Sequence, residues 1–272
     1  MASPVFSRSK EFKADPLLAQ QSAVDLQTQF DAPAGTPGYV AEDRMSYPGV
    51  TGKAAGLGIL AITTGGAGYV LVGQSEAALL FAFGAGLVAM VVGLIAAFKR
   101  TPGPALVGLY ALLEGFFLGA ITVFIEQQFE VPGAGLQALG ATAVTFLVCL
   151  WLYRSGKVRY TSKLRKIFLI GGISYLVFGL VNIGYMIFSS SNSAFGLRSD
   201  VELFGIPLGI IIGVVAVLLA CISLIGDFDF IENGVKNGLP KKVEWKAAFG
   251  LIVTLVWLYL EFLRIIALLN RN

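Results

Sequence analysis

Two carboxylates two residues apart, Asp227 and Asp229, close a long apolar run in the stretch SLIGDFDFIENGVKNG. A third, Glu261, stands inside the last apolar run, LVWLYLEFLRIIALL, with Arg264 three residues on. Carboxylates in hydrocarbon cost several kcal/mol unless paired, protonated or wetted, so their default reading is functional. Asp229 has a plain alternative, since it lies where a helix leaves the membrane and charge is cheap. Glu261 has apolar residues on both sides and is not explained that way. At i and i+3, Glu261 and Arg264 can touch and partly neutralise each other, as a salt bridge that only orients helices would. Glu114, in YALLEGFFLGA, is ten residues past Pro104, hence ~15 Å along a helix and near mid-membrane. Asn182 is a further polar residue in an apolar run, and Glu126 is expected at the interface.

The chemistry open to these residues is narrow. Histidine is absent, which removes Ser-His and Cys-His nucleophiles, HExxH zinc sites and histidine proton relays. Cys149 and Cys221 lie in the middle of apolar runs and have no metal-ligand or redox spacing. Carboxyls are then the groups left to respond to pH. Two close carboxyls cannot both ionise cheaply, so they share a proton. Fully deprotonated, they repel each other and offer hard oxygen ligands suited to Ca2+.

The elements that must position them are membrane spans. Mean hydropathy is +0.77, and 56% of residues are hydrophobic against 14% charged, far from the roughly 25% charged of soluble domains. The fold class is all-α, a polytopic membrane protein. Seven apolar runs each approach the ~20 residues that cross ~30 Å of hydrocarbon. They are Ala54–Val72, Ala77–Phe98, Pro104–Phe124, Leu136–Tyr153, Lys166–Phe188, Phe204–Phe230 and Trp245–Leu269. Residues 51–272 thus form the transmembrane domain. Residues 1–50, rich in Ser, Gln, Asp, Ala, Pro and Gly, read as a disordered cytoplasmic tail in which Leu17 to Phe30 can form a short amphipathic helix. Gly205, Gly209 and Gly213 repeat on one face of span six, and Gly115 and Gly119 on span three, so helix backbones can approach closely there.

Charge sets the orientation. With the tail in the cytoplasm, seventeen of the twenty basic residues fall on that side, including Lys99, Arg100, Arg154–Lys166 and Lys236–Lys246. Arg198 and Arg271 fall opposite, and Arg264 lies within span seven. The positive-inside rule therefore gives a cytoplasmic N-terminus and an outside C-terminus. The basic residues follow topology and do not gather into a nucleic-acid patch.

Three stretches resemble the Bax inhibitor-1 family, specifically its bacterial branch. They are PALVGLYALLEGFFLGA (Pro104–Ala120), SLIGDFDFI (Ser223–Ile231) and LYLEFLR (Leu258–Arg264), within a likeness running from Ala54 to Leu269. The resemblance implies a bundle with span seven surrounded by the other six, in a bacterial plasma membrane. It also implies a pH-sensitive Ca2+ leak governed by two hydrogen-bonded carboxyls, which by motif position are Asp227 and Glu261, the transient ligands of the ion. Glu114, Asp229 and Arg264 are accessory candidates. Glu261 stands where the family usually has Asp, and no basic latch residue is found in Ala77–Phe98. Straight helices place Asp227 ~35 Å along span six and Glu261 ~21 Å beyond Ala247, at different depths. Glu114 thus remains an alternative partner for Glu261.

Several functions compete on this pattern. A passive, pH-gated leak of Ca2+ or other cations leads, with a proton-coupled transporter and a stress-response scaffold without transport activity as alternatives. No enzyme activity and no cofactor are expected. An intramembrane aspartyl protease lacks both its GxGD motif and a second aspartate in an apolar span. Single cysteines placed in Arg154–Lys166 and in Ser189–Glu202 should label with an impermeant reagent from opposite membrane faces. Labelling of both from one face would reject the seven-span topology.

Overall fold

The computed structural model describes residues 44–74, 76–189 and 195–270. The expectations for the tail before residue 44, its disorder and the helix at Leu17 to Phe30, lie outside these residues. Seven helices among the described residues are long and apolar enough to span a membrane. They are α1 (Tyr47–Gln74), α2 (Glu76–Phe98), α3 (Pro104–Gln128), α4 (Ala134–Arg154), α5 (Ser162–Phe188), α6 (Leu208–Lys236) and α7 (Glu244–Leu269). Local sequence sets their ends. Pro104 opens α3 at a position where its missing N–H is no loss, Gly133 precedes α4 at φ 81°, and the Thr161 side chain caps α5 by accepting from Leu164 N–H at 3.3 Å.

Two boundaries differ from the hydropathy reading. α1 begins at Tyr47, seven residues before Ala54, within the stretch assigned to the tail. Polar contacts hold this extra turn. Met45 N–H donates to the Leu239 carbonyl at 2.6 Å, and Ser46 N–H donates to Glu244 Oε1 at 2.9 Å. The Lys53 ammonium pairs with the other oxygen of the same carboxylate, and Glu244 is fully buried. Span six begins four residues late, at Leu208. Before it come a helical turn, Leu197–Asp200, and a short antiparallel hairpin of β1 (Glu202–Leu203) and β2 (Ile206–Pro207). Phe204 and Gly205 form its corner at φ 57° and 77°. Gly205 is therefore a turn glycine, and the small-residue face of α6 consists of Gly209 and Gly213.

The arrangement is an all-α bundle with α7 in the middle. α7 packs on α1, α2, α3, α4 and α6. It meets α5 through Tyr175, which bonds Glu261, and through the rings of Phe168 and Tyr175 against Trp257. The α1–α3 crossing is the closest of all. A Cβ on Gly65 would stand 3.2 Å from the Gly115 carbonyl oxygen, and Gly119 meets the Gly65 backbone still more tightly. Glycine pairs permit such approach where hydrocarbon provides no hydrophobic drive between helices. α2 and α5 instead turn large apolar side chains such as Leu80, Phe81, Ile170 and Ile173 outward, as lipid-facing helices do.

Candidate functional site

Glu261 is 1% exposed, on the central helix, and is met by three polar groups. Its Oε1 accepts from the Tyr175 hydroxyl of α5 and from Arg264 Nη1 at 2.5 Å. Its Oε2 faces Arg198 Nη1, from the helical turn before β1, at 3.7 Å. That distance is too long for a hydrogen bond, so both atoms keep an unused bonding position. Arg198 is itself 5% exposed, with its guanidinium over the rings of Tyr175 and Phe178 at 5.1 and 5.4 Å. α6 reaches the cluster at Gly213, where a Cβ would stand 3.7 Å from Glu261 Oε2. Two guanidinium groups around one carboxylate leave the cluster with an excess positive charge.

Asp227 lies on α6, half-buried against the opposing face of α7. Its Oδ2 accepts from the Thr254 hydroxyl at 2.8 Å. Having donated its one proton there, Thr254 Oγ1 can accept from Ser223 Oγ at 3.3 Å. Gly250 completes the site. A Cβ on it would stand 3.0 Å from Asp227 Oδ1, so any larger residue would push the carboxyl from its place. Among the described residues no Lys or Arg pairs with Asp227.

The structure does not bring Asp227 and Glu261 together. Thr254 is level with Asp227, and Glu261 is seven residues further along α7, ~10 Å away by helical rise. The shared-proton pair that the motifs implied, and joint ligation of one Ca2+ by both carboxyls, do not have their geometry here. Among the described residues no group of three or more His, Cys, Asp or Glu could hold a metal ion.

Glu114 is not the missing partner either. It follows by one turn Tyr110, whose ring packs edge-on against Phe249 of α7 at 5.2 Å and under Gly93 of α2. The partners of Glu261 lie on α5, α7 and the Leu197–Asp200 turn. Asp229 accepts from Asn233 of its own helix at 2.9 Å. Asn182, in α5, is buried and donates to the Met186 sulfur at 3.7 Å.

Four residues of these sites were not singled out from sequence as partners: Tyr175, Arg198, Thr254 and Gly250. The alternation of loops puts Arg198 on the outer side, and its neighbour Gly196, at φ 56°, is the local sign that the chain turns back there. The α4–α5 loop was also unforeseen as a cover. Arg159 and Tyr153 both bond Glu232 of α6, at 2.7 and 2.5 Å. The Tyr160 ring then rests on Gly226, beside Asp227, where a Cβ would meet it at 3.1 Å.

Fold and site together define a multi-pass helical membrane protein whose central span carries a buried ion cluster. A sequence model of the family described as Bax inhibitor 1 like matches residues 3–271, and the chain belongs to that family. The match takes in the tail, beyond the Ala54–Leu269 stretch over which the motifs were read. No curated protein matches the chain.

The buried cluster makes a testable statement about stability. Removing one partner of a buried ion pair costs about 3–5 kcal/mol, so Glu261→Gln should lower the thermal unfolding midpoint of the purified protein strongly. Glu261→Gln with Arg264→Gln removes a cation along with its anion and should recover part of the loss. A double variant no more stable than the single would contradict the pairing.

Proposed function

We propose that the protein is a pH-sensitive cation leak, with Ca2+ as cargo, whose gate is the α6–α7 seam at Asp227. The observation that carries this reading is a carboxyl held between two membrane helices by one hydroxyl, that of Thr254. Protonated, Asp227 is neutral and sits in its hydrogen bonds at little cost. Ionised in the same place it requires a counter-charge, because an uncompensated buried charge costs several kcal/mol. Since no Lys or Arg pairs with it among the described residues, a cation from water meets that requirement. The Thr254 and Ser223 hydroxyls and the Gly250 carbonyl, 3.2 Å from Thr254 Oγ1, are hard oxygens of the kind Ca2+ takes. Flux therefore rises with pH.

Glu261 has a different part in this reading. With Arg264, Arg198 and Tyr175 it locks the far half of the seam and repels cations while the helices stay together. The lock lies on α7 and the α5–α6 connection, which accounts for a leak protein without a basic latch in the second span. By the positive-inside rule the Asp227 end, with its Tyr160 cover, faces the cytoplasm.

Ca2+ flux into liposomes containing only this purified protein tests the reading. Wild-type flux should increase from acidic to alkaline pH, and Asp227→Asn should hold it at the acidic level throughout. Arg198→Gln, which removes the excess cation of the lock, should raise flux at every pH while keeping the slope, and Asp229→Asn should change neither. An unchanged pH profile in Asp227→Asn would overturn the gate, and loss of the profile in Glu114→Gln would move it to the α2–α3–α7 side. Absence of flux at any pH would favour the scaffold reading.

A further inference from the structure

A cavity of about 680 Å3 opens between α1, α3, α4 and α7, within the ~300–1,000 Å3 of ligand sites. Its long walls are apolar, formed by Gly58, Ile62 and Gly65 of α1, Leu139 and Phe146 of α4 and Ile252 of α7. Glycines on α1 leave the groove its depth. Polar side chains gather mainly at one end, where Tyr69, Glu126 and Tyr259 meet above Thr122. From Gly58 to Tyr69 is eleven residues, ~16 Å of helix. That is about half of the ~30 Å hydrocarbon layer, the depth of one leaflet. Glu126 is twenty-two residues past Pro104, ~33 Å along α3, which puts the polar end at the interface away from the basic loops.

The polar end has an unusual hydrogen-bond balance. Tyr69 donates its proton to Glu126 Oε2 at 2.7 Å, and Glu126 Oε1 accepts from Gly135 N–H at 2.9 Å. Thr122 donates to the Leu118 carbonyl at 2.6 Å. Tyr259, 2.6 Å from Thr122 Oγ1, must then be the donor of that pair. Every hydroxyl proton is thus committed, and what faces the cavity is lone pairs on Glu126, Tyr69 and Tyr259. Among the described residues no Lys or Arg lines the cavity. A phosphate or carboxylate head would find no side-chain proton free there and would face the Glu126 carboxylate, whereas an ammonium finds three side-chain oxygens, one of them charged.

We propose that this cavity binds one acyl chain of a membrane lipid whose head carries a primary ammonium, with the chain along Gly58–Gly65 and the ammonium at Glu126. The proposal stands independently of the leak. The chain fits one leaflet's depth, and the acidic end at Glu126 separates this lipid from those that merely surround the bundle.

The test uses the full-length protein in bilayer nanodiscs and two photoactivatable lipids. Phosphatidylethanolamine and phosphatidylglycerol carry the same diazirine-bearing acyl chain, and labelled peptides are mapped after irradiation. The ethanolamine lipid should label the cavity faces of α1 and α4 several-fold more than the glycerol lipid, and unlabelled phosphatidylethanolamine should compete. Leu139→Trp, which fills the groove from α4, should abolish that labelling. Glu126→Gln should reduce the ethanolamine lipid to the level of the glycerol lipid. Should Glu126→Gln fail to fold, the two-lipid comparison on wild-type protein decides alone. Equal labelling by both lipids overturns the head assignment. Labelling on outward α2 and α5 as strong as in the cavity, and unaffected by Leu139→Trp, shows surrounding lipid only and overturns the site.

Discussion

A carboxylate at 1% exposure in the middle of the central helix has to be answered by positive charge from the protein, and much of the bundle follows from how Glu261 is answered. One guanidinium comes from its own helix, Arg264. The other, Arg198, can arrive only if the connection between α5 and α6 folds back into the bundle. The Leu197–Asp200 turn and the β1–β2 hairpin do this, and they delay α6 until Leu208. Tyr175 then gives lipid-facing α5 a polar tie to a helix it otherwise touches lightly. Glycine at 213 lets α6 close on Ile265, one turn beyond the carboxylate.

With Glu261 neutralised from both sides, Asp227 is left as the carboxyl on the same seam with the Thr254 hydroxyl as its partner. The two acids differ in what their surroundings allow. A buried carboxylate between guanidiniums is fixed in one state, and breaking it apart is costly. One that accepts from a threonine can be neutral or charged at smaller rearrangement. The proposed division of labour between a lock and a gate needs no contact between them. It needs only that both face α6–α7, and Thr254, which bonds Asp227, lies seven residues before Glu261 on one face of α7.

Much of this was legible in the sequence, and the reasons are physical. Hydrocarbon demands long apolar helices, so seven spans and their basic loops could be read from composition alone. The motifs around Glu114, Asp227 and Glu261 marked the family and the three acids. What could not be read was register across helices. Nothing in LYLEFLR tells that Glu261 turns to Tyr175 and Arg198, because those partners lie 86 and 63 positions away in chain segments with no distinctive pattern. Hydropathy also mistook Phe204–Pro207 for helix, since a hairpin of apolar residues has the same composition, and missed Tyr47–Lys53, where polar contacts to Glu244 extend α1.

The central claim is that Asp227 and Glu261 occupy separate sites, and double-mutant cycles in thermal stability test it most directly. Asp227→Ala with Thr254→Val should show a coupling of about 0.5–3 kcal/mol, as contacting residues do, whereas Asp227→Ala with Glu261→Gln should add to within about 0.5 kcal/mol. A large coupling between Asp227 and Glu261, with none between Asp227 and Thr254, would mean that the two carboxyls share one site and would contradict the account.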